Sequence, residues 1–119
     1  MTNTSFTAQV RGQPGLAVID LAGEINAFAE QALNRAYEEA EQFNPPAIAL
    51  NLTRVTYINS TGIALIVGLL ARARQAQRSL SVWGLSDHYM EIFQITRLAD
   101  FIAIYPDETS ALQAVYGNR

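Results

Sequence analysis

The sequence predicts an α/β fold: a mixed sheet of four to five strands, opened by a hairpin and packed against about four helices. Three observations predict it. The first residues alternate apolar and polar up to a turn signal, as a strand entering a hairpin does. From Ala27 the apolar period becomes helical, and helical and short apolar extended segments then alternate to the end. The chain has 119 residues, 50% of them hydrophobic and 16% charged, enough for one domain with a core and too few for two.

Phe6, Ala8 and Val10 alternate with Thr7, Gln9 and Arg11, so one face of the first strand is apolar. Gly12-Gln13-Pro14-Gly15 turns the chain, and Leu16–Leu21 returns as an antiparallel partner, which leaves the first strand at a sheet edge. Ala29, Leu33, Ala36, Tyr37 and Ala40 share a helical face, and Asn44-Pro45-Pro46 ends that helix. Ala47–Leu52 reads as a buried central strand, followed by a polar stretch. A second helix starts around Asn59-Ser60-Thr61-Gly62 and ends near Arg78, with Ile63, Ile66, Val67, Leu70 and Ala71 as its buried stripe. Leu80–Gly84 is a fourth strand, Ser86 or Asp87 caps a third helix through Ile95, and Phe101–Tyr105 is a last strand. Asp107 caps a carboxy-terminal helix that turns Leu112 and Val115 inward. The order ββαβαβαβα implies right-handed crossovers and a mostly parallel sheet. It runs through 1–119 as one domain, with its core from about Phe6 to Val115.

Composition closes off much chemistry. Without cysteine there is no disulfide, thiolate nucleophile or sulfur-based zinc site. Without lysine there is no Schiff base and no P-loop lysine. His88, the single histidine, has no partner set for metal ligation or a hydrolytic triad, and it reads as a solvated or capping residue. Eleven acidic residues against eight arginines leave a net charge of −3 and no basic surface for nucleic acid. The amino terminus Met1–Ser5 has neither the charge nor the apolar run of a signal peptide. The longest uncharged apolar run, Ile63–Ala71, is far short of the ~20 residues that span a bilayer, so a cytoplasmic protein without membrane insertion is expected. No cofactor or metal is called for.

The informative stretch is Asn59-Ser60-Thr61-Gly62, where a buried strand gives way to a helix. Ser60 or Thr61 there serves as an N-cap on one reading. On another, Ser60 takes a phosphate, which free N–H groups and the positive helix end would favour. Spacing alone leaves both open.

Four segments resemble the STAS-domain family, and within it the bacterial anti-sigma-factor antagonists. Leu21-Ala22-Gly23-Glu24-Ile25-Asn26 is similar to the family's L-x-G-E-[LI]-D, and Leu50-Asn51-Leu52 to its L-[DN]-[LF] strand. Tyr57-Ile58-Asn59-Ser60-Thr61-Gly62 resembles [YF]-[IM]-D-S-[ST]-G, and Phe93–Phe101 resembles F-x-[IL]-[ST]-x-L-x-x-[IF]. The resemblance implies a non-enzymatic partner switch. Ser60, or Thr61 as the alternative, would accept phosphate from a serine kinase that is also the anti-sigma factor, and a cognate phosphatase would reverse it. Asn59, Thr61 and Gly62 would form the loop around Ser60, with Gly23, Glu24 and Asn26 as the adjacent contact loop. Asn26 and Asn59 stand where the family usually has aspartate, which keeps shape and removes charge. A rival reading is a STAS subunit that regulates a membrane transporter by binding, without phosphorylation. A small nucleotide-binding domain ranks last, for want of a glycine-rich phosphate cradle.

Overall fold

The computed structural model describes residues 6–117, so the Met1–Ser5 reading lies outside the described residues. Strand β1 (Thr7–Gln13) runs into β2 (Leu16–Ile25) through Pro14 and Gly15, whose φ of +76° suits a residue without Cβ. A 3₁₀ turn at Ala27–Ala29 leads into α1 (Glu30–Glu41), then β3 (Ala47–Ile58) and α2 (Ser60–Gln75). There follow β4 (Ser79–Trp83), α3 (Asp87–Ile95), a second 3₁₀ turn at Leu98–Asp100, β5 (Ala103–Tyr105) and α4 (Glu108–Tyr116). The five strands lie in the order β1-β2-β3-β4-β5, with only the β1–β2 pair antiparallel. The expected element order and edge hairpin are both present.

Right-handed crossovers taken in one direction across a sheet deposit their helices on one face. Helices α1, α2 and α3 accordingly share the main core. Ala17, Ile19 and Leu21 of β2, Ile48, Leu50 and Leu52 of β3, and Leu80 and Val82 of β4 meet Leu33, Tyr37, Ile66, Leu69 and Phe93 there. Among the described elements α4 alone covers the other face. It sets Ala111 on a smaller cluster of Leu16, Val18, Ala49 and Trp83, with Leu112 and Val115 partly buried against it.

Several boundaries differ from the sequence reading. β3 continues through the polar stretch to Ile58. It pairs with β4 only as far as Asn51, so beyond that point β2 alone flanks it and Thr53, Arg54, Thr56 and Tyr57 are solvated. α2 ends at Gln75 and not near Arg78, because Gln77 turns to φ +60° and the Arg78 N–H closes back on the Ala73 carbonyl at 2.8 Å. Its buried stripe is Gly62, Ile66, Leu69, Leu70 and Ala73, while Val67 and Ala71 are exposed. The helix is apolar nearly all round up to Ala71, so period alone did not select the face. β5 begins at Ala103, since Phe101 and Ile102 complete the preceding turn.

Candidate partner-binding site

The carboxy ends of β2 and β3 lie side by side, with Glu24 opposite Tyr57 and Ile25 opposite Ile58. The register shifts twice along this pair, and β3 absorbs an extra residue each time. Gly23 sits at the second shift with φ +99°. Gly23 and Glu24 therefore belong to an irregular strand end and not to a loop. Asn26 then leaves the sheet, and its Oδ1 accepts from the Phe28 N–H at 2.9 Å to cap the 3₁₀ turn.

Where β3 ends, the Asn59 N–H donates to the Ile25 carbonyl at 3.2 Å. Asn59 is extended, and its Oδ1 accepts from the Gly62 N–H at 2.8 Å. Asn59 is thus the N-cap of α2, and Ser60, Thr61 and Gly62 form its first turn. This corrects the reading of Ser60 or Thr61 as the cap and of these residues as a loop. Asparagine caps as well as serine, and it lies one residue nearer the strand.

Gly62 explains how the two segments come so close. A Cβ built there would lie 2.1 Å from the Ile25 carbonyl oxygen and 2.9 Å from Ile58 Cγ2. Only a bare Cα lets α2 abut the end of β2. Tyr89, 8% exposed, steadies the same corner from α3: its hydroxyl oxygen accepts from the Ile58 N–H at the end of β3 at 2.8 Å. No motif in the sequence singled out Tyr89 for that task.

The corner gathers Glu24, Asn26, Asn59, Ser60, Thr61 and Gly62, with Gly23 just behind them. Ser60 and Thr61 are exposed, and among the described residues neither hydroxyl makes a hydrogen bond. Glu24 accepts only a long 3.5 Å bond from Asn26 Nδ2. Among the described residues no group of three or more histidine, cysteine or acidic side chains is placed to hold a metal ion. The arrangement offers a solvent-facing hydroxyl at a positively polarised helix end, held on a rigid strand junction.

A family model for the STAS domain matches residues 7–111 of the chain. The chain belongs to the STAS domain family. The anti-sigma-B factor antagonist of Listeria monocytogenes is 37% identical over 86 residues, covering 72% of this chain and 75% of that protein. An anti-sigma factor antagonist from Mycobacterium paratuberculosis has a similar structure, with TM-score 0.80 at 24% identity over 93% of this chain and 94% of that one. The anti-sigma factor antagonist SpoIIAA, in its unphosphorylated form, gives TM-score 0.70 at 20% identity over 95% and 99%.

Seen as a STAS domain, the chain's two departures acquire a physical meaning. Asn26 and Asn59 both act through Oδ1 as acceptors at a helical start, a task aspartate performs equally well. The exchange keeps the corner's geometry and removes two negative charges from it. The arginines of and beyond α2 are mostly engaged within the molecule. Arg72 stacks 4.6 Å over the Tyr37 ring and pairs with Glu41 at 3.0 Å, and Arg78 reaches Asn44 at 3.3 Å. Of Arg72, Arg74 and Arg78, Arg74 is the exposed one, over Phe101 at 5.6 Å. His88 is exposed in the first turn of α3, edge-on to Tyr89, and the cap of that helix is Ser86. Among the described residues no helix is long and apolar enough to cross a membrane.

Proposed function

We propose that the chain is a cytoplasmic, non-enzymatic partner switch, acting as a single STAS domain on an anti-sigma factor that is also its serine kinase. Unphosphorylated, the β2–β3–α2 corner binds the anti-sigma factor. Phosphate on Ser60 ends the binding, and a phosphatase restores it. In the transfer, Ser60 Oγ bonds to the γ-phosphorus of ATP, the bridging oxygen leaves with ADP, and the hydroxyl proton passes to the kinase. Hydrolysis of the ester returns serine and inorganic phosphate.

The observation that carries this reading is that Ser60 is exposed while Asn59 does the capping. A hydroxyl with no structural task can be modified without loosening the helix it starts. To receive the γ-phosphate, Ser60 must face the kinase's nucleotide. A phosphoserine there would meet the phosphates left on ADP, and close like charges in a desolvated interface repel strongly. The likeness to SpoIIAA supports a fold that tolerates the modification, since that protein has been solved in a phosphorylated form as well, at TM-score 0.70.

The test is binding of the purified parent, Ser60→Ala and Ser60→Asp proteins to the host's ATP-binding anti-sigma factor with ADP present. Ser60→Ala should bind within about threefold of the parent, and Ser60→Asp should bind about a hundredfold more weakly. Equal affinity of all three would remove Ser60 from the interface and favour binding that phosphorylation does not regulate.

A further inference from the structure

We infer that Phe28 is the apolar anchor of the partner interface, seated in a slot of the anti-sigma factor whose rim is basic and pairs with Glu24 and Glu30. The inference rests on the partner-switch reading and names what that partner must present. Phe28 is 94% exposed, more than any other large apolar residue described, although it lies inside an ordered turn. The turn itself sets its direction. Asn26 Oδ1 holds the Phe28 N–H at 2.9 Å, and Ala29 next to it is completely buried, so the backbone presents the ring to solvent. With its backbone already ordered, the aromatic group has only its own rotamers left to fix on binding, and exposed aromatic rings are the commonest interface anchors.

The surroundings say what fits over it. Phe28 lines an open depression of about 510 Å³ with Ala27, Glu30, Gln31 and Asn34. Glu24 stands on the other side of Asn26, opposite Tyr57, which is 51% exposed and extends the apolar surface toward α2. Among the described residues neither Glu24 nor Glu30 forms an ion pair, which is equally true of Glu38, Glu39, Asp87, Glu91 and Asp107; what sets these two apart is their place on either side of the exposed ring. Two unpaired carboxylates beside an exposed ring complement a cationic rim around an apolar slot. That rim is separate from the nucleotide that Ser60 faces, so phosphorylation can repel at one point while the anchor attracts at another.

The experiment compares the parent with Phe28→Ala, Phe28→Leu and the double variant Glu24→Gln/Glu30→Gln, with Ser60→Asp measured alongside, against the host's anti-sigma factor and ADP. Phe28→Ala should weaken binding about tenfold or more, chiefly through faster dissociation, and Phe28→Leu should restore part of the loss. The double variant should slow association and flatten its dependence on salt. Thermal melting should match the parent throughout, because these side chains are not in the core. If Ser60→Asp weakens binding while Phe28→Ala stays within about twofold of the parent, the anchor is overturned and the partner switch stands. If neither variant changes binding, or the parent itself does not bind, both fall. A parent that sediments as a dimer and becomes monomeric on Phe28→Ala would assign the ring to a second copy of the chain instead.

Discussion

Two polar clusters of this molecule differ in what they leave unspent. On the α4 face, Arg11 Nε and Nη2 donate to Asp20 at 2.6 and 3.0 Å, and Nη1 and Nη2 donate to Glu108 at 3.1 and 3.2 Å. Asn51 adds a bond to Asp20 at 2.9 Å and accepts from the Thr53 N–H and hydroxyl at 3.1 and 2.7 Å. One guanidinium thus grips two carboxylates and ties the first turn of α4 to β1 and β2. At the β2–β3–α2 corner and the turn beside it, Asn26 and Asn59 likewise cap through backbone N–H groups, but Ser60 and Thr61 keep their hydroxyls free and Glu24 and Glu30 form no ion pair among the described residues. A cluster that satisfies itself holds a fold together. One that keeps groups free is available to a partner.

The sharpest way to break the corner is Gly62→Ala. The added Cβ would meet the backbone oxygen of Ile25, which cannot rotate away, so the substitution should cost about 2–4 kcal/mol in urea unfolding and weaken partner binding too. Gly68→Ala, in the same helix with nothing within 4 Å of its Cβ, should instead be neutral or stabilise by about 0.5–1 kcal/mol.

Arg11→Met breaks the closed cluster and leaves Asp20 and Glu108 facing each other. Because these side chains are about a third exposed, the loss should be only about 1–2 kcal/mol, with partner binding untouched. Acid sharpens the same test. Partial burial opposes ionisation of Asp20, but the hydrogen bonds from Arg11 and Asn51, with the charge of Arg11, outweigh it and hold the carboxyl below its ordinary 3.8. A lowered native value means that this stabilisation is complete above the unfolded value and fades as pH falls through the native one. The parent should therefore lose this contribution below about pH 4, and Arg11→Met should lack that part of the slope.

Smaller effects separate the cap from the hydroxyl. Asn59→Ala should cost about 1 kcal/mol, and Asn59→Asp should hold stability within about 0.5 kcal/mol, since a carboxylate caps as well and suits the helix dipole. Ser60→Ala should change stability by less than about 0.5 kcal/mol. A loss of about 1 kcal/mol at Ser60 and none at Asn59 would return the cap to the serine.

Much of the fold was legible because strand and helix periods contrast so clearly after Ala27. The cap at Asp107 was equally plain, and Ser86 was one of the two candidates for the third helix; each accepts from the N–H three residues on. The lower half of β3 was not, because a strand flanked on one side carries solvated side chains and reads as a polar linker. On α2 the expected Ile66 and Leu70 are buried and Ile63 packs on the core, but Val67 and Ala71 were placed inward where apolar residues surround the helix. At the site, the motif brought Asn59, Ser60 and Gly62 to attention, but the division of labour between cap and hydroxyl depends on where the strand stops. Phe28 and Tyr89 gave no signal. An aromatic in sequence reads as core, and only the backbone geometry turns one of them outward and the other onto the Ile58 N–H.

The most direct test of the central claim is intact-mass measurement after incubation with the host's anti-sigma kinase and ATP, followed by mapping of the modified residue. A single phosphate on Ser60, absent from Ser60→Ala and acquired faster by Asn59→Asp, is the predicted result. Phosphate mapped to another residue, or no phosphate at all on a parent protein that binds the kinase, would contradict it.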